Sequence, residues 1–138
     1  MAKGEAILAK LIERLQTVSA LKGVYRGHEA FELSDDAAMP YATVQKLTER
    51  QVDGNGPIRT YERSILVIVL MAVSDSVDAE QDALLAALRQ ALQLHDRRLW
   101  TGLAAKLEEQ SVEFDPPDMR ARLTSFAVTL TARYIETT

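Results

Sequence analysis

Cysteine is absent from this chain of 138 residues. Disulfides, thiolate metal sites and a cysteine nucleophile are therefore excluded by composition alone. Histidine is nearly as scarce, and the spacing of His28 and His95 does not force them into a common metal site. Glycine and proline number only six and four, which is too few for a disordered or fibrous chain. The sequence therefore predicts one ordinary globular domain that covers residues 1–138.

Long hydrophobic runs are absent as well. The strongest run, Ile65–Met71, lies within the stretch Arg59–Asp75 and is far shorter than a membrane span. The first ten residues lack the apolar core of a signal peptide, so we expect the protein to stay where it is made. A net charge of −4 argues against direct recognition of nucleic acid. Neither a membrane nor a nucleic acid is therefore an expected partner.

The run Ile65–Met71 is the element around which the fold is predicted to form. It is rich in Ile, Val and Leu and has no Gly or Pro, a composition typical of a strand that is covered on both faces. A buried helical segment is the alternative, which the short length disfavours. We therefore predict a central strand whose neighbours cover its faces and pair with its edges.

Periodic patterns divide the rest of the chain into helices and strands. Apolar residues recur every three or four positions in the helical segments, whereas they alternate in the last strand. The predicted elements are a helix over Gly4–Leu21 that stops at Gly23, a short strand at Val24–Arg26, a polar strand over Tyr41–Val52, a hairpin loop at Asp53–Pro57 longer than two residues, a helix over Gln81–Leu94, a connector at Leu99–Gly102 anchored by the only Trp, a strand centred on Gln110–Phe114, and a strand within Arg120–Thr137.

This order predicts an α+β fold, with a mixed and mostly antiparallel β-sheet and two amphipathic helices packed on one face. The helices can cover only one face of the central strand. The other face is predicted to be buried by another copy or another protein, or else by the loops Gly27–Met39 and Leu99–Leu103 folding over it.

Catalytic, cofactor-binding and metal sites are not predicted. The sequence has no nucleophile-elbow pattern, and its Gly54–Gly56 turn lacks the lysine and helix of a phosphate loop. Asp35 and Asp36 are interpreted as turn or cap residues.

Arginine is common at interfaces, and the loop Gln51–Arg59 carries turn and charge signals. The candidate subunit or tube interface residues are Arg50, Asp53, Asn55, Arg59, Arg63, Arg97 and Arg98.

Several stretches together resemble the tail terminator proteins of long-tailed bacteriophages, which are also described as minor tail protein U-like or tail completion proteins. After an N-terminal amphipathic helix, the stretches are MPYATV at Met39–Val44, YER at Tyr61–Arg63 before the apolar strand, AEQDALLAALRQAL and DRRLW within Ala79–Trp100, and TLTARYI at Thr129–Ile135. The resemblance covers nearly the whole chain in element order and length.

The resemblance implies a structural virion protein of the tail, assembled in the host cytoplasm, without enzymatic activity or cofactors. It implies a homo-oligomer, a hexameric ring, on the last ring of the tail tube, where it ends tube polymerisation and provides the head-joining surface. Its implied partners are the tail tube protein and the head-tail connector proteins. The alternatives are a head-completion or neck connector protein, or a small ligand-binding or enzymatic domain with a site around His28, His95 and Asp96.

Overall fold

A five-stranded sheet with helices on one face forms the fold. The computed structural model describes residues 2–33, 37–104 and 106–137, and for residues 31 and 32 the main chain only. Asp35 and Asp36 lie outside these ranges. The elements are α1 (Lys3–Leu15), β1 (Gly23–Arg26), a 3-10 helix (Glu29–Glu32), β2 (Tyr41–Asn55), β3 (Ile58–Ala72), α2 (Val77–Leu92), α3 (Arg97–Trp100), β4 (Lys106–Phe114) and β5 (Leu123–Thr137).

The strand order in the sheet is β1-β2-β3-β5-β4. β1 runs parallel to β2, and the other neighbouring strands are antiparallel. This arrangement confirms the predicted α+β class and places the apolar segment Ile65–Met71 on the central strand β3. No helix in the described ranges is long and apolar enough to cross a membrane.

The predicted hairpin joins β2 and β3, which are 15 residues long each. Pairing continues to Asn55 opposite Ile58, so the loop consists of Gly56 and Pro57 alone. The prediction of a longer loop is therefore wrong. The left-handed φ angles of Gly54 (104°) and Gly56 (66°) explain why the turn can be so tight, since glycine adopts them without a Cβ penalty.

The predicted end of the first helix is also wrong. The helix ends at Leu15 instead of Leu21, and Gly23 begins β1 instead of stopping the helix. β4 is present where a strand was predicted, but it already begins at Lys106. A bulge between Glu109 and Ser111 interrupts its alternation, because an extra residue changes which side chains share a face.

Helices α1 and α2 pack on one face of the sheet. Their buried residues meet the buried side chains of β3 and β5 in one core cluster. On β3 these are Ile65, Val67, Val69 and Met71, which alternate with half-exposed residues. The prediction that this strand is covered on both faces is therefore not met by the described part of a single chain. The helix-side core also includes Ile7 and Leu11 of α1 and the largest fully buried side chain, Phe126 of β5.

The connector after α2 also belongs to the helix side. Trp100 is only 2% exposed, and Leu99 and Leu103 pack against the same core cluster. The prediction that the Trp anchors this connector is confirmed. These contacts also show that Leu99 and Leu103 do not cover the second face of the sheet.

Candidate functional site

The face of the sheet opposite the helices carries an apolar surface outside the core. Its centre is formed by Leu66, Ile68 and Leu70 of β3, which are half-exposed and lie outside the core cluster. Their partners on β5 are small or hydroxylated, namely Thr129, Ala127 and Ser125 in that order. We call this surface the open face.

The β2 side of the open face is more polar. Tyr41, Thr43 and Gln45 lie opposite Leu70, Ile68 and Leu66. Thr43 is 8% exposed, whereas Tyr41 and Gln45 are half-exposed. The aliphatic centre is therefore a stripe along β3 between two flanking strands that carry smaller or more polar side chains.

A row of charged residues crosses the open face between this stripe and the hairpin turn. The register aligns Arg50, Glu62, Arg133 and Lys106 on β2, β3, β5 and β4. Glu62 accepts hydrogen bonds from the Nη2 atoms of Arg50 (3.1 Å) and Arg133 (3.0 Å). The guanidinium of Arg133, followed by that of Arg50, lowers the pKa of the Glu62 carboxyl. The row joins four strands and has more positive than negative groups.

The part of the β2–β3 hairpin from Lys46 to Arg59, which we call the hairpin arm, is largely exposed. From Lys46 to Arg59 only Val52 is half-buried, and every other residue is exposed. The exposed apolar side chains of this region include Leu47 (48%) and Ile58 (58%). Ile135 (42%) lies on β5, opposite Thr60 of β3. Exposed aliphatic groups on an extended arm are typical of a surface that other chains bury.

Four of the predicted interface residues lie together on this arm. Arg50, Asp53, Asn55 and Arg59 are all exposed there, and Asp53 accepts a hydrogen bond from the Gly54 N–H. The structure therefore brings these four residues into one region of the hairpin. Their contact with another subunit or a tube stays a prediction.

Arg63 has a different environment. Its Nη2 lies 3.1 Å from Glu49 Oε1, and its side chain is only 14% exposed. A Cβ built on Gly4 would lie 2.6 Å from the guanidinium, so this glycine allows Arg63 to pack against α1. Glu49 also accepts a hydrogen bond from the Tyr134 hydroxyl. The visible role of Arg63 is therefore to hold the hairpin against the first helix.

Arg97 and Arg98 lie apart from the arm, on α3 after the second helix. Both are exposed. Asp96 caps α3 by accepting hydrogen bonds from the N–H groups of Arg98 and Leu99. The seven predicted interface residues therefore do not form one patch, and Arg97 and Arg98 would serve a separate contact.

Sequence reasoning missed two strand edges that are unpaired among the described residues. β1 pairs with β2 only through Tyr41–Val44, so no described strand lies beside the outer edge of β2 beyond Val44. β4 is the last described strand on the other side of the sheet, so no described strand lies beside its outer edge. The alternation of apolar and charged residues in β4 suggested a strand, but only the strand order shows which edges are free.

A groove of about 1290 Å³ lies between α2, α3 and β4. His95 and Asp96 line it together with Trp100, but His28 does not. His28 directly precedes the 3-10 helix beside β1, at the opposite edge of the sheet. Within the described ranges, no group of three or more His, Asp and Glu side chains is placed to hold a metal ion. The structure therefore does not unite the two histidines in a site.

One wall of this groove contains a two-pronged ion pair. Arg89 of α2 donates from Nε and Nη2 to the two carboxylate oxygens of Glu109 on β4, at 2.9 and 2.8 Å. This contact lowers the pKa of Glu109 below its ordinary value of 4.5. The pair ties the second helix to the outermost strand.

Glu109 should contribute to acid sensitivity. Because its pKa is lowered in the folded state, its stabilisation is present above about pH 4.5 and is lost as the pH falls through the folded-state pKa. We expect Glu109→Gln to lower the free energy of unfolding by about 0.5–1 kcal/mol near pH 7, since the Arg89 side chain is exposed, and by less near pH 3. Urea unfolding at both pH values measures the difference. Glu113→Gln on the same strand is the control, and an equal loss in both variants would contradict this role.

No protein-family model matches the sequence, and no curated protein matches it significantly. Among solved structures, the chain is similar to a chain in the structure described as "Virion of native gene transfer agent (GTA) particle". The TM-score is 0.67, the sequence identity is 20%, and the match covers 98% of each chain. The two chains therefore share a fold over almost their whole lengths.

Proposed function

We propose that this chain is a structural virion assembly protein that caps a phage tail tube as a ring. The observation that carries the proposal is the fold shared over 98% of both chains with a chain of a gene transfer agent virion. The ring, of six copies by the resemblance to tail terminators, ends tube polymerisation and offers a surface to which the head joins.

The surfaces of the chain support this role. Leu66, Ile68 and Leu70 form an aliphatic stripe that the helices leave uncovered, and the hairpin arm exposes Leu47 and Ile58. Apolar groups on an exposed sheet face are typical of surfaces that become buried in an assembly. In the proposed ring, the open face is covered by the tail tube protein.

The proposed role is non-enzymatic and uses no cofactor. The groove beside α3 brings His95 and Asp96 to one surface, but its wall is the structural pair of Arg89 and Glu109. The proposed partners are further copies of this chain, the tail tube protein and the head-tail connector proteins. The proposed location is the virion tail, after assembly in the host cytoplasm.

Tube growth in vitro tests the proposal. The cognate tail tube protein is polymerised with and without this chain, and tube lengths are measured by electron microscopy. We expect added protein to shorten the length distribution in proportion to the number of rings, because each ring closes one growing end. A neck or head-completion protein would leave tubes to overrun, so unchanged lengths at saturating protein would overturn the proposed role.

A further inference from the structure

The two strand edges that are free in the described part of the chain lie on opposite sides of the sheet. On β2 the free edge begins after Val44, where β1 ends. On β4 the free edge spans Lys106–Phe114. Unpaired strand edges are templates for another chain. We infer that the β4 edge of one copy pairs with the β2 edge of the next copy, which rests on the proposal that copies of this chain form a ring.

Strand direction fits this junction. β2, β3, β5 and β4 alternate in direction because each neighbouring pair is antiparallel, so β4 runs opposite to β2. A second copy placed beside the first with its open face on the same side therefore presents β2 antiparallel to β4. The contact joins two different edges, and such head-to-tail contacts produce a closed ring when the rotation between copies closes.

Charge determines the register of the junction. Lys106 and Glu108 point to the open face of β4, and Arg50 and Asp53 point to the open face of β2. One antiparallel register places Asp53 opposite Lys106 and Arg50 opposite Glu108, so both pairs are attractive. They extend the ion pairs that Lys106 makes with Glu108 and that Arg50 makes with Glu62 within each chain. A slip of two residues in one direction sets Arg50 against Lys106, and a slip in the other direction sets Asp53 against Glu108.

The same register keeps the faces of the two strands matched across their irregular positions, which fall at different places along the junction. The shift between Gln51 and Asp53 on β2 falls near the pair Gln51 and Leu107, while the shift between Glu109 and Ser111 on β4 falls between two further pairs. These pairs are Glu49 with Glu109 and Thr48 with Ser111. All opposed side chains then point to the same face of the joined sheet, as strand pairing requires.

The one like-charge pair in this register is already neutralised within each chain. Glu49 is paired with Arg63, and Glu109 is paired with Arg89. Beyond the pair of Thr48 and Ser111, the bulge residue Leu47, which is 48% exposed, lies beside Val112 of the neighbouring copy. The junction therefore combines two attractive charge pairs with burial of an exposed aliphatic side chain.

One end of the junction is limited on both strands by the chain itself. β1 occupies the β2 edge as far as Val44, where the Gly27 N–H donates to the Val44 carbonyl. β4 ends at Phe114 and is followed by Pro116 and Pro117. Proline lacks the N–H that would continue a strand ladder, so the incoming strand stops where β1 of its neighbour begins.

A designed disulfide tests the register, because the chain has no cysteine of its own. Thr48→Cys and Ser111→Cys are combined in one chain; both residues are exposed. Within one chain, β3 and β5 separate the two positions by about 14 Å, which is beyond the reach of a disulfide. Mild oxidation is therefore expected to give a ladder of covalent oligomers that ends at the ring size on non-reducing gels.

The matched control combines Thr48→Cys with Lys106→Cys, which lies on the same strand and face but out of register. This control and the single variants should give no ladder beyond dimers. If the wild-type chain forms a closed oligomer by native mass spectrometry but the Thr48 and Ser111 pair forms no ladder, the inferred junction is overturned while the ring stands. A wild-type chain that stays monomeric with and without tubes would overturn the ring and the junction together.

Charge reversal gives a second readout of the same junction. Arg50→Glu places two carboxylates together across the junction, as well as beside Glu62 of its own chain, and should raise the concentration needed for half-maximal assembly about tenfold. Adding Glu108→Arg in the same chain restores an attractive pair and should recover assembly. Circular dichroism confirms that each variant is folded. A double variant that assembles no better than Arg50→Glu would overturn the pairing of these two residues.

Discussion

Replacing Val67 with lysine is expected to unfold the protein, whereas the same replacement at Ile68 is expected to leave it folded. Val67 is fully buried in the core, and an unpaired charge there should lower the free energy of unfolding by more than about 4 kcal/mol. Ile68 is half-exposed on the open face, where lysine can lay its aliphatic stem across the sheet and keep its ammonium group in water. The expected loss in the free energy of unfolding for Ile68→Lys is about 1 kcal/mol.

Urea unfolding followed by circular dichroism measures both variants. Domains of this kind have total stabilities of about 5–15 kcal/mol, so the Val67→Lys chain should show little or no folded baseline. Equal destabilisation by the two replacements would contradict the assignment of one covered and one open face. The folded Ile68→Lys variant is also a direct probe of assembly, because it introduces a charge at the centre of the open face.

Removing the only tryptophan should cause the next largest loss of stability. Trp100 is 2% exposed, and its Nε1 donates to the Leu92 and Gln93 carbonyls at 3.2 Å each. These carbonyls lie where α2 ends, with Gln93 in the left-handed region at φ 45°. Trp100→Ala is expected to lower the free energy of unfolding by about 3–5 kcal/mol, because it leaves a large cavity and removes the Nε1–H hydrogen-bond donor.

Trp100→Phe separates the two contributions. Phenylalanine retains much of the apolar volume but cannot donate a hydrogen bond, so its expected cost is about 1–2 kcal/mol. Urea midpoints of both variants, followed by circular dichroism, provide the comparison. If Phe were as costly as Ala, packing of this side chain would not be the main source of its contribution.

The fold class was predictable because the strongest patterns are local. β5 alternates without interruption from Thr124 to Tyr134 in its burial, as its sequence indicates, and the apolar run of β3 marks the centre of the sheet. The open face was harder to predict, since Leu66 and Ile68 are as apolar as their buried neighbours. Composition alone does not distinguish an aliphatic residue in a core from one on a surface that another chain covers.

The candidate site was predictable only in part for a similar reason. The exposed positions of Arg50 and Arg59 follow from the charged hairpin, but the packing of Arg63 against Gly4 depends on residues that are far apart in sequence. The free edge of β4 depends on strand order, which is also non-local. The extra residue at the β4 bulge further obscured where that strand begins.

Tube length in the presence of wild-type and Ile68→Lys protein is the most direct test of the proposed role. Cognate tube protein is polymerised with each folded protein at the same molar ratio, and the lengths are measured by electron microscopy. If this chain caps the tube through its open face, the wild type shortens the tubes and Ile68→Lys leaves them as long as tubes grown without it. Tubes that keep growing at saturating wild-type protein would contradict the proposed function.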